Sequence, residues 1–431
     1  MAAGSAAVAR VVEAVWRIES ARIIAAVARM LRDVGTAEEL AQDALVSALE
    51  RWPQTGVPDN PAAWLMTAAR HRALDVLRQR QLHQTRQEQI SYEIEGLLQD
   101  AAPDLEADVA RALEDDIGDD VLRLVFVACH PVLPMDGRVA LTLRMLGGLS
   151  TGEIARAYLV PEATVAQRIV RAKRTLAEAR VPFEVPRAHE LVARLGAVLQ
   201  VLYLIYNEGY TASAGADWMR PALCDEALRL GRILAGLVPG EAEVHGLVAL
   251  MEIQSSRARA RVGPDGAPVL LLEQDRARWD QLLIRRGLAA LERAGDTGQG
   301  LGPYGLQAAI AACHARARTA SDTDWGRIAA LYDALSQLAP SPIVELNRAV
   351  ALSMAFGPAA GLEVVDGLLD EPALRHYHLL PSVRGDLLFK LGRHGEARQE
   401  FIRAAALAHN ARERELLLAR AEAAGAAWLR R

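Results

Sequence analysis

Apolar residues recur at helical spacing along most of this chain. After Pro161, the residues Val165, Ile169, Ala172 and Leu176 fall at i, i+4, i+7 and i+11, the inward stripe of one amphipathic helix. Just upstream, Ser150 followed three residues later by Glu153 forms a capping box, so a short helix begins there with Ile154, Ala155 and Tyr158 on its buried face. Leu159-Val160 is the turn between the two helices. Pro161 opens the second, because its missing N–H is not needed at a first helical position. Nearer the start, ELAQDALVSALERW places Leu40, Ala44 and Leu49 inside and Glu39, Gln42 and Asp43 outside. Asn60 caps and Pro61 opens a further helix, AAWLMTAARHRALDVLRQR. There Trp64, Ala68 and Leu74 face inward, which leaves Arg70, His71, Arg78 and Arg80 for solvent or phosphate.

Composition extends this picture to the whole chain. Its 431 residues leave room for two to four domains, and a hydrophobic fraction of 51% excludes wholesale disorder. Alanine and leucine dominate, aromatics make up 5%, and β-branched runs are sparse, so the fold class predicted is all-α. The prolines of Val181-Pro182-Phe183-Glu184-Val185-Pro186 interrupt helix and separate a long C-terminal part, residues 187–431. Near its end Gly385, Gly392, Ala397, Phe401 and Ala404 follow tetratricopeptide-like offsets, and Gly357 precedes Gly392 by one period of 35. RARARVGPDGAPVLLLE is the one predicted hairpin, turning at Pro264-Asp265-Gly266, with its arginines on a solvated edge.

Charge divides the N-terminal part. The formal net charge is −5, yet residues 64–87 carry five arginines against Asp75 alone, and residues 137–180 carry eight basic residues against Glu153, Glu162 and Glu178. Between them, residues 88–120 hold twelve acidic residues and only Arg111, a run that repels itself and resists packing. Two basic helical modules on an acidic tether point to nucleic acid. The inward stripe after Pro161 turns Thr164, Gln167, Arg168, Arg171 and Arg174 outward with Lys173 flanking. These groups donate to base edges and phosphates when a recognition helix lies in the major groove.

Other chemistry finds little support. Cys129, Cys224 and Cys313 are far apart and form no Cys-x-x-Cys pair, so neither a disulfide framework nor a thiolate metal site is indicated, and a reducing cytoplasm fits. Cys129-His130 has no partner at metal-ligand spacing and reads as core before the Pro131 break. The N-terminus mixes Arg and Glu into its apolar positions, unlike a signal peptide. No uncharged apolar run approaches the ~20 residues of a membrane span, so a soluble protein is expected. In YNEGY, Glu208 lacks a second carboxylate at a defined separation, and the motif reads as a helix end at Gly209 with packed tyrosines. No metal and no cofactor is indicated.

The block GTAEELAQDALVSALERW with NPAAWLMTAARHRALDVLR resembles region two of the extracytoplasmic-function sigma factors of bacterial RNA polymerase, in the sigma-70 family. GGLSTGEIARAYLVPEATVAQRIVRAKRTL resembles their region four. The chain as a whole resembles the subgroup with a C-terminal tetratricopeptide-like extension, further marked by FVACHPVLP, YNEGYTAS, QDRARWD and GPYGLQAAIAACHA. The resemblance implies region two over 1–87, an acidic linker over 88–120, region four over 121–182 and a helical regulatory domain over 187–431. It implies core-polymerase binding through Glu39, Leu40, Gln42 and Asp43. The minus-ten element would be melted and read through Asn60, Trp64, Arg70, His71, Asp75 and Arg78, with Gln54 to Asn60 in the place of the base-capturing loop. The minus-thirty-five element would be read through Thr164, Gln167, Arg168, Arg171, Lys173 and Arg174. The chain is then a non-enzymatic initiation factor whose partners are core RNA polymerase and promoter DNA, with its C-terminal domain contacting the sigma domains. Two rivals remain at this point: a one-component helix-turn-helix regulator with a ligand-binding repeat domain, and an enzyme centred on Glu208.

Overall fold

The computed structural model describes residues 2–92, 117–158, 160–186, 188–212, 218–264 and 267–429. They are helical with no strand among them, and they divide into two compact units, 1–201 and 202–431. The acidic segment 93–116 lies outside the described residues.

In the first unit α1 (Ala2–Leu31) is the central helix, with Ile23, Ile24, Val27 and Ala28 fully buried. Asp33 then caps α2 (Val34–Thr55), accepting from the N–H groups of Gly35 at 2.9 Å and Thr36 at 3.2 Å. Helix α2 buries Ala37, Glu38, Ala41, Ala44, Ala48 and Trp52. Ala44 is inside as its spacing required, but Leu49 is exposed and Leu40 half-buried. The alanine row lets α2 approach α1 closely and pushes the larger leucines to the edge of the contact.

A similar displacement occurs in α3 (Pro61–Tyr92), where Leu65, Ala69 and Ala73 are buried while Trp64, Ala68 and Leu74 flank them half-exposed. The inward face is a strict i, i+4, i+8 row rotated by one residue from the expected one. Asn60 caps this helix, its side-chain oxygen accepting from Ala63 N–H at 3.0 Å.

The rest of the first unit comprises α4 (Ile117–Ala128), α5 (Met135–Met145), α6 (Thr151–Tyr158) and α7 (Glu162–Glu178), which pack on one another and against α1 and α2. Asp120, at the end of the acidic run in sequence, is a buried residue of α4. It pairs with Arg29 at 3.2 Å and Arg123 at 2.6 Å.

Helix α8 (Ala188–Tyr210) contains the division between the units. Its stretch Glu190–Tyr210 is long and apolar enough to cross a membrane by length and composition alone. In the structure Leu195, Val198, Leu199, Leu202, Ile205 and Tyr206 of that stretch are buried in protein.

The second unit continues with α9 (Pro221–Leu237), α10 (Ala242–Ser255), α11 (Gln281–Asp296), α12 (Pro303–Arg316), α13 (Trp325–Leu338), α14 (Pro342–Phe356), α15 (Pro358–Asp366), α16 (Leu379–Lys390), α17 (His394–Leu407) and α18 (Ala411–Leu429). Helix α10 is buried along almost its whole length between α9, α11 and α12. Its Gly246 lies so close to α12 that a Cβ there would meet the Gly305 nitrogen at 2.6 Å. Gly357 and Gly392, one period apart, hold φ of 100° and 75° in the turns between α14 and α15 and between α16 and α17. Within the second pair, Gly385 packs on the Phe401 ring, and Ala397 and Ala404 are buried.

The expected hairpin is a single antiparallel bridge between Val262 and Pro268, closed by Gly263 N–H to Ala267 O at 2.9 Å. Of its turn, Asp265 and Gly266 lie outside the described residues. Nor are all its arginines at a solvated edge. Arg261 is buried over the Tyr210 ring, 3.5 Å from the centroid, and donates to Thr211 Oγ1 at 2.9 Å.

Candidate nucleic-acid interface

The helix-turn-helix is built from α6 and α7. At the start of α6, Ser150 N–H and hydroxyl donate to Glu153 Oε2 at 2.7 and 2.8 Å, and Glu153 N–H donates back to Ser150 Oγ at 3.2 Å. The same carboxylate reaches Arg17 of α1 at 2.6 Å, so the cap also ties α6 to the first helix. Pro161 stands at the cap of α7, one position before its first helical residue. Val165, Ile169, Ala172 and Leu176 are all buried, which rolls the polar face outward.

On that face Gln167, Arg171 and Arg174 are exposed and Thr164 is half-exposed. Arg174 makes an i, i+4 pair with Glu178 at 3.4 Å, while Arg168 pairs with Asp136 of α5 at 2.9 Å. Lys173 points the other way. Its ammonium is held by buried Glu38 of α2 at 2.5 Å, and Arg144 of α5 holds the same carboxylate at 2.9 Å. Gln42 also donates to Glu38, so one carboxylate serves α2, α5 and α7. Taking Glu38 out of water is costly, and two cations and an amide offset that cost. Sequence spacing did not single out Glu38 as the shared partner of these three groups. The available signal was its place in the alanine row of α2.

The α3 face is less uniformly free. Trp64 sits edge-on to buried Trp52, ring centroids 5.4 Å apart. Arg70 is half-buried, and burial, then neighbouring Arg29, lowers its pKa while Asp120 opposes them. His71 is exposed, as are Asp75 and Arg78, which pair at 3.4 Å. Arg80 approaches Asp33 at 3.9 Å, and Arg72 donates to Ser47 Oγ at 2.7 Å. On α2, Glu39 and Asp43 are exposed, Leu40 half-exposed, and Gln42 turned toward Glu38.

Away from these helices, the tyrosines of YNEGY are packed. Tyr206 is buried, with its hydroxyl 3.1 Å from Met251 O and 2.9 Å from Ser255 Oγ, and it stacks on Tyr210. Helix α8 runs on through Tyr210 rather than ending at Gly209, and Glu208 is engaged by Arg220. Cys129 is buried against Thr142 Oγ1 at 3.3 Å, and burial pushes its thiol up to about 11. No cluster of three or more His, Cys, Asp or Glu that could hold a metal ion lies among the described residues.

A helix-turn-helix with an outward basic face, packed against a second basic helical module, defines a DNA-binding transcription protein. Residues 17–83 match the family model for sigma-70 region 2 and residues 123–176 that for sigma-70 region 4. Residues 194–295 match a family of unknown function, DUF6596. Over 389 residues, 90% of each chain, the protein is 46% identical to an uncharacterized protein, R00370, of Rhizobium meliloti. It is 33% identical over 159 residues to the ECF RNA polymerase sigma factor SigK of Mycobacterium ulcerans, covering 36% of this chain and 78% of the relative. To a probable ECF RNA polymerase sigma factor, SigI of Mycobacterium tuberculosis, it is 29% identical over 184 residues, 42% of this chain and 60% of that one. The chain belongs to the extracytoplasmic-function sigma factors, with a C-terminal helical extension. It is an alternative sigma factor that directs promoter recognition and transcription initiation. Such factors bind core RNA polymerase and promoter DNA and are themselves non-enzymatic.

Proposed function

We propose that α7 lies in the major groove of the minus-thirty-five element, with Thr164, Gln167, Arg168, Arg171 and Arg174 toward bases and phosphates. The observation that carries this reading is the exposure of Gln167, Arg171 and Arg174 on the face of α7 opposite the buried stripe. Lys173 joins them once it leaves Glu38. Asn60, Trp64, Arg70, His71, Asp75 and Arg78 of α3 and its cap serve the minus-ten element. Extruding a base there costs a few kcal/mol of stacking and pairing, which phosphate contacts from the arginines help to offset. Glu39, Leu40, Gln42 and Asp43 face the polymerase. The domain organisation follows as region two over 1–87, linker over 88–120, region four over 121–182 and a tetratricopeptide-like regulatory domain beyond 187, acting on the sigma domains of its own chain in the cytoplasm.

Transcription reconstituted from core polymerase and the full chain tests the DNA face. Arg171→Ala should weaken promoter binding by the holoenzyme by about 1–3 kcal/mol if Arg171 contacts a base. An equal loss on every DNA sequence would make it a phosphate contact, and no loss would remove α7 from the interface. For the extension, a chain ending after Tyr210 keeps α8, whose first half belongs to the first unit. More transcription from that chain means the extension restrains initiation, less means initiation requires it, and unchanged transcription removes the regulatory role.

A further inference from the structure

Two residues other than glycine adopt a positive φ among those described, Arg32 at 51° and Arg180 at 48°. Each ends a helix. Arg32 N–H donates to Ala28 O at 2.8 Å after α1, and Val181 N–H, just beyond Arg180, donates to Leu176 O at 3.1 Å after α7. Glycine takes this left-handed position without strain, so arginine at both ends is a local cost that the rest of the fold must hold.

Both arginines line the same cavity, about 790 Å³, between α1, α2, α4 and α7. Arg29, Arg123 and Lys173 line it too, but they are already engaged, the two arginines by Asp120 and the lysine by Glu38. Asp33 in its wall is occupied by the cap of α2. Arg32 and Arg180 make no ion pair among the described residues and both are exposed; Glu184 also lines the cavity but pairs with neither. Val127, Leu176 and Phe183 supply an apolar wall.

We propose that this cavity is a binding site for a nucleoside polyphosphate, its phosphates held by Arg32 and Arg180 and its base laid on the apolar wall. Guanidinium groups pair with phosphate oxygens through two parallel N–H bonds, and the volume is that of an ordinary small-ligand pocket. A DNA duplex is too broad to enter it, since its major groove alone is about 12 Å across. A ligand bridging Arg32 and Arg180 joins the end of α1 to the end of α7, and so favours the arrangement in which the two basic modules lie together.

Calorimetric titration of the full chain with ATP, GTP and inorganic triphosphate tests this. One saturable site is expected, tighter for a nucleotide than for triphosphate. The double variant Arg32→Gly/Arg180→Gly should weaken binding about tenfold or more, while its melting temperature holds or rises because glycine accepts the positive φ. Arg32→Lys/Arg180→Lys should recover part of the affinity. The proposal is overturned by the lack of saturable binding, by equal affinity in the double glycine variant, or by a short non-promoter duplex that displaces the nucleotide and loses affinity equally in that variant. In the last case the arginines hold the DNA backbone.

Discussion

The two units are fastened differently. In the first, charge joins parts of the chain far apart in sequence: buried Glu38 is bound to Arg144 and Lys173, 106 and 135 residues away, and the more exposed pair of Arg17 and Glu153 spans 136. In the second, the pairs Arg220–Glu208, Arg232–Glu252, Arg384–Glu400 and Arg420–Asp386 span 12 to 34 residues, the longest buried polar tie among the described residues is the neutral hydrogen bond from Asn410 to Ala212 O, and the helices are held by alanine and glycine surfaces in close contact. An ion pair exchanged for water or for another charged partner loses little net energy, whereas an apolar helix contact has no such substitute. The ties of the first unit are therefore the more exchangeable ones.

The comparison breaks most readily at Glu38. Glu38→Ala leaves two mostly buried cations facing each other and should cost about 3–4 kcal/mol, at the lower end of the range for a broken buried pair because both cations can reach water. Hydrogen exchange should accelerate in α2 and α7 while α10 to α12 stay protected. Unchanged exchange in α7 would show that the charge cluster does not hold the modules together.

Acid should loosen both units through one histidine in each. Burial, then nearby arginines, pushes His130 and His314 down to about 4. The unfolded chain takes up these protons near the ordinary value of 6.5, so stability is complete above that pH and declines as pH falls toward 4. His314, buried edge-on to Trp325, should contribute on the order of 2–3 kcal/mol, and half-exposed His130 less. Denaturant unfolding of His314→Gln between pH 7 and 4.5 should show a flatter pH profile than the unaltered chain, and an identical profile would refute the assignment.

Gly246→Ala reverses the first test. Its added methyl meets the backbone of Gly305 and should cost about 2 kcal/mol, with faster exchange confined to α10 and α12. Spread of that effect into α7 would erase the contrast between the units. The smallest effect belongs to Asp75→Asn on the exposed face of α3, within about 0.5 kcal/mol of stability by denaturant melting. A larger loss would mean that this pair is structural, not part of a DNA face.

Local pattern determined a good deal by itself. The capping box at Ser150, the stripe from Val165 to Leu176 and the cap at Asn60 each depend on neighbours within about one to three helical turns, which sequence spacing reports directly. The rotation of α3 by one residue, the exposed Leu49 and the inward Lys173 followed from which helix lay opposite, and spacing on one helix is silent about its neighbour. Glu38 and Asp120 show this most sharply. Each reads as one more surface acid along the chain, and its burial is offset by cations that packing brings from about ninety or more residues away, joined for Asp120 by Arg123 on the next helical turn. The cavity between Arg32 and Arg180 has the same origin, because two helix ends 148 positions apart in the numbering were brought together by packing that neither end encodes.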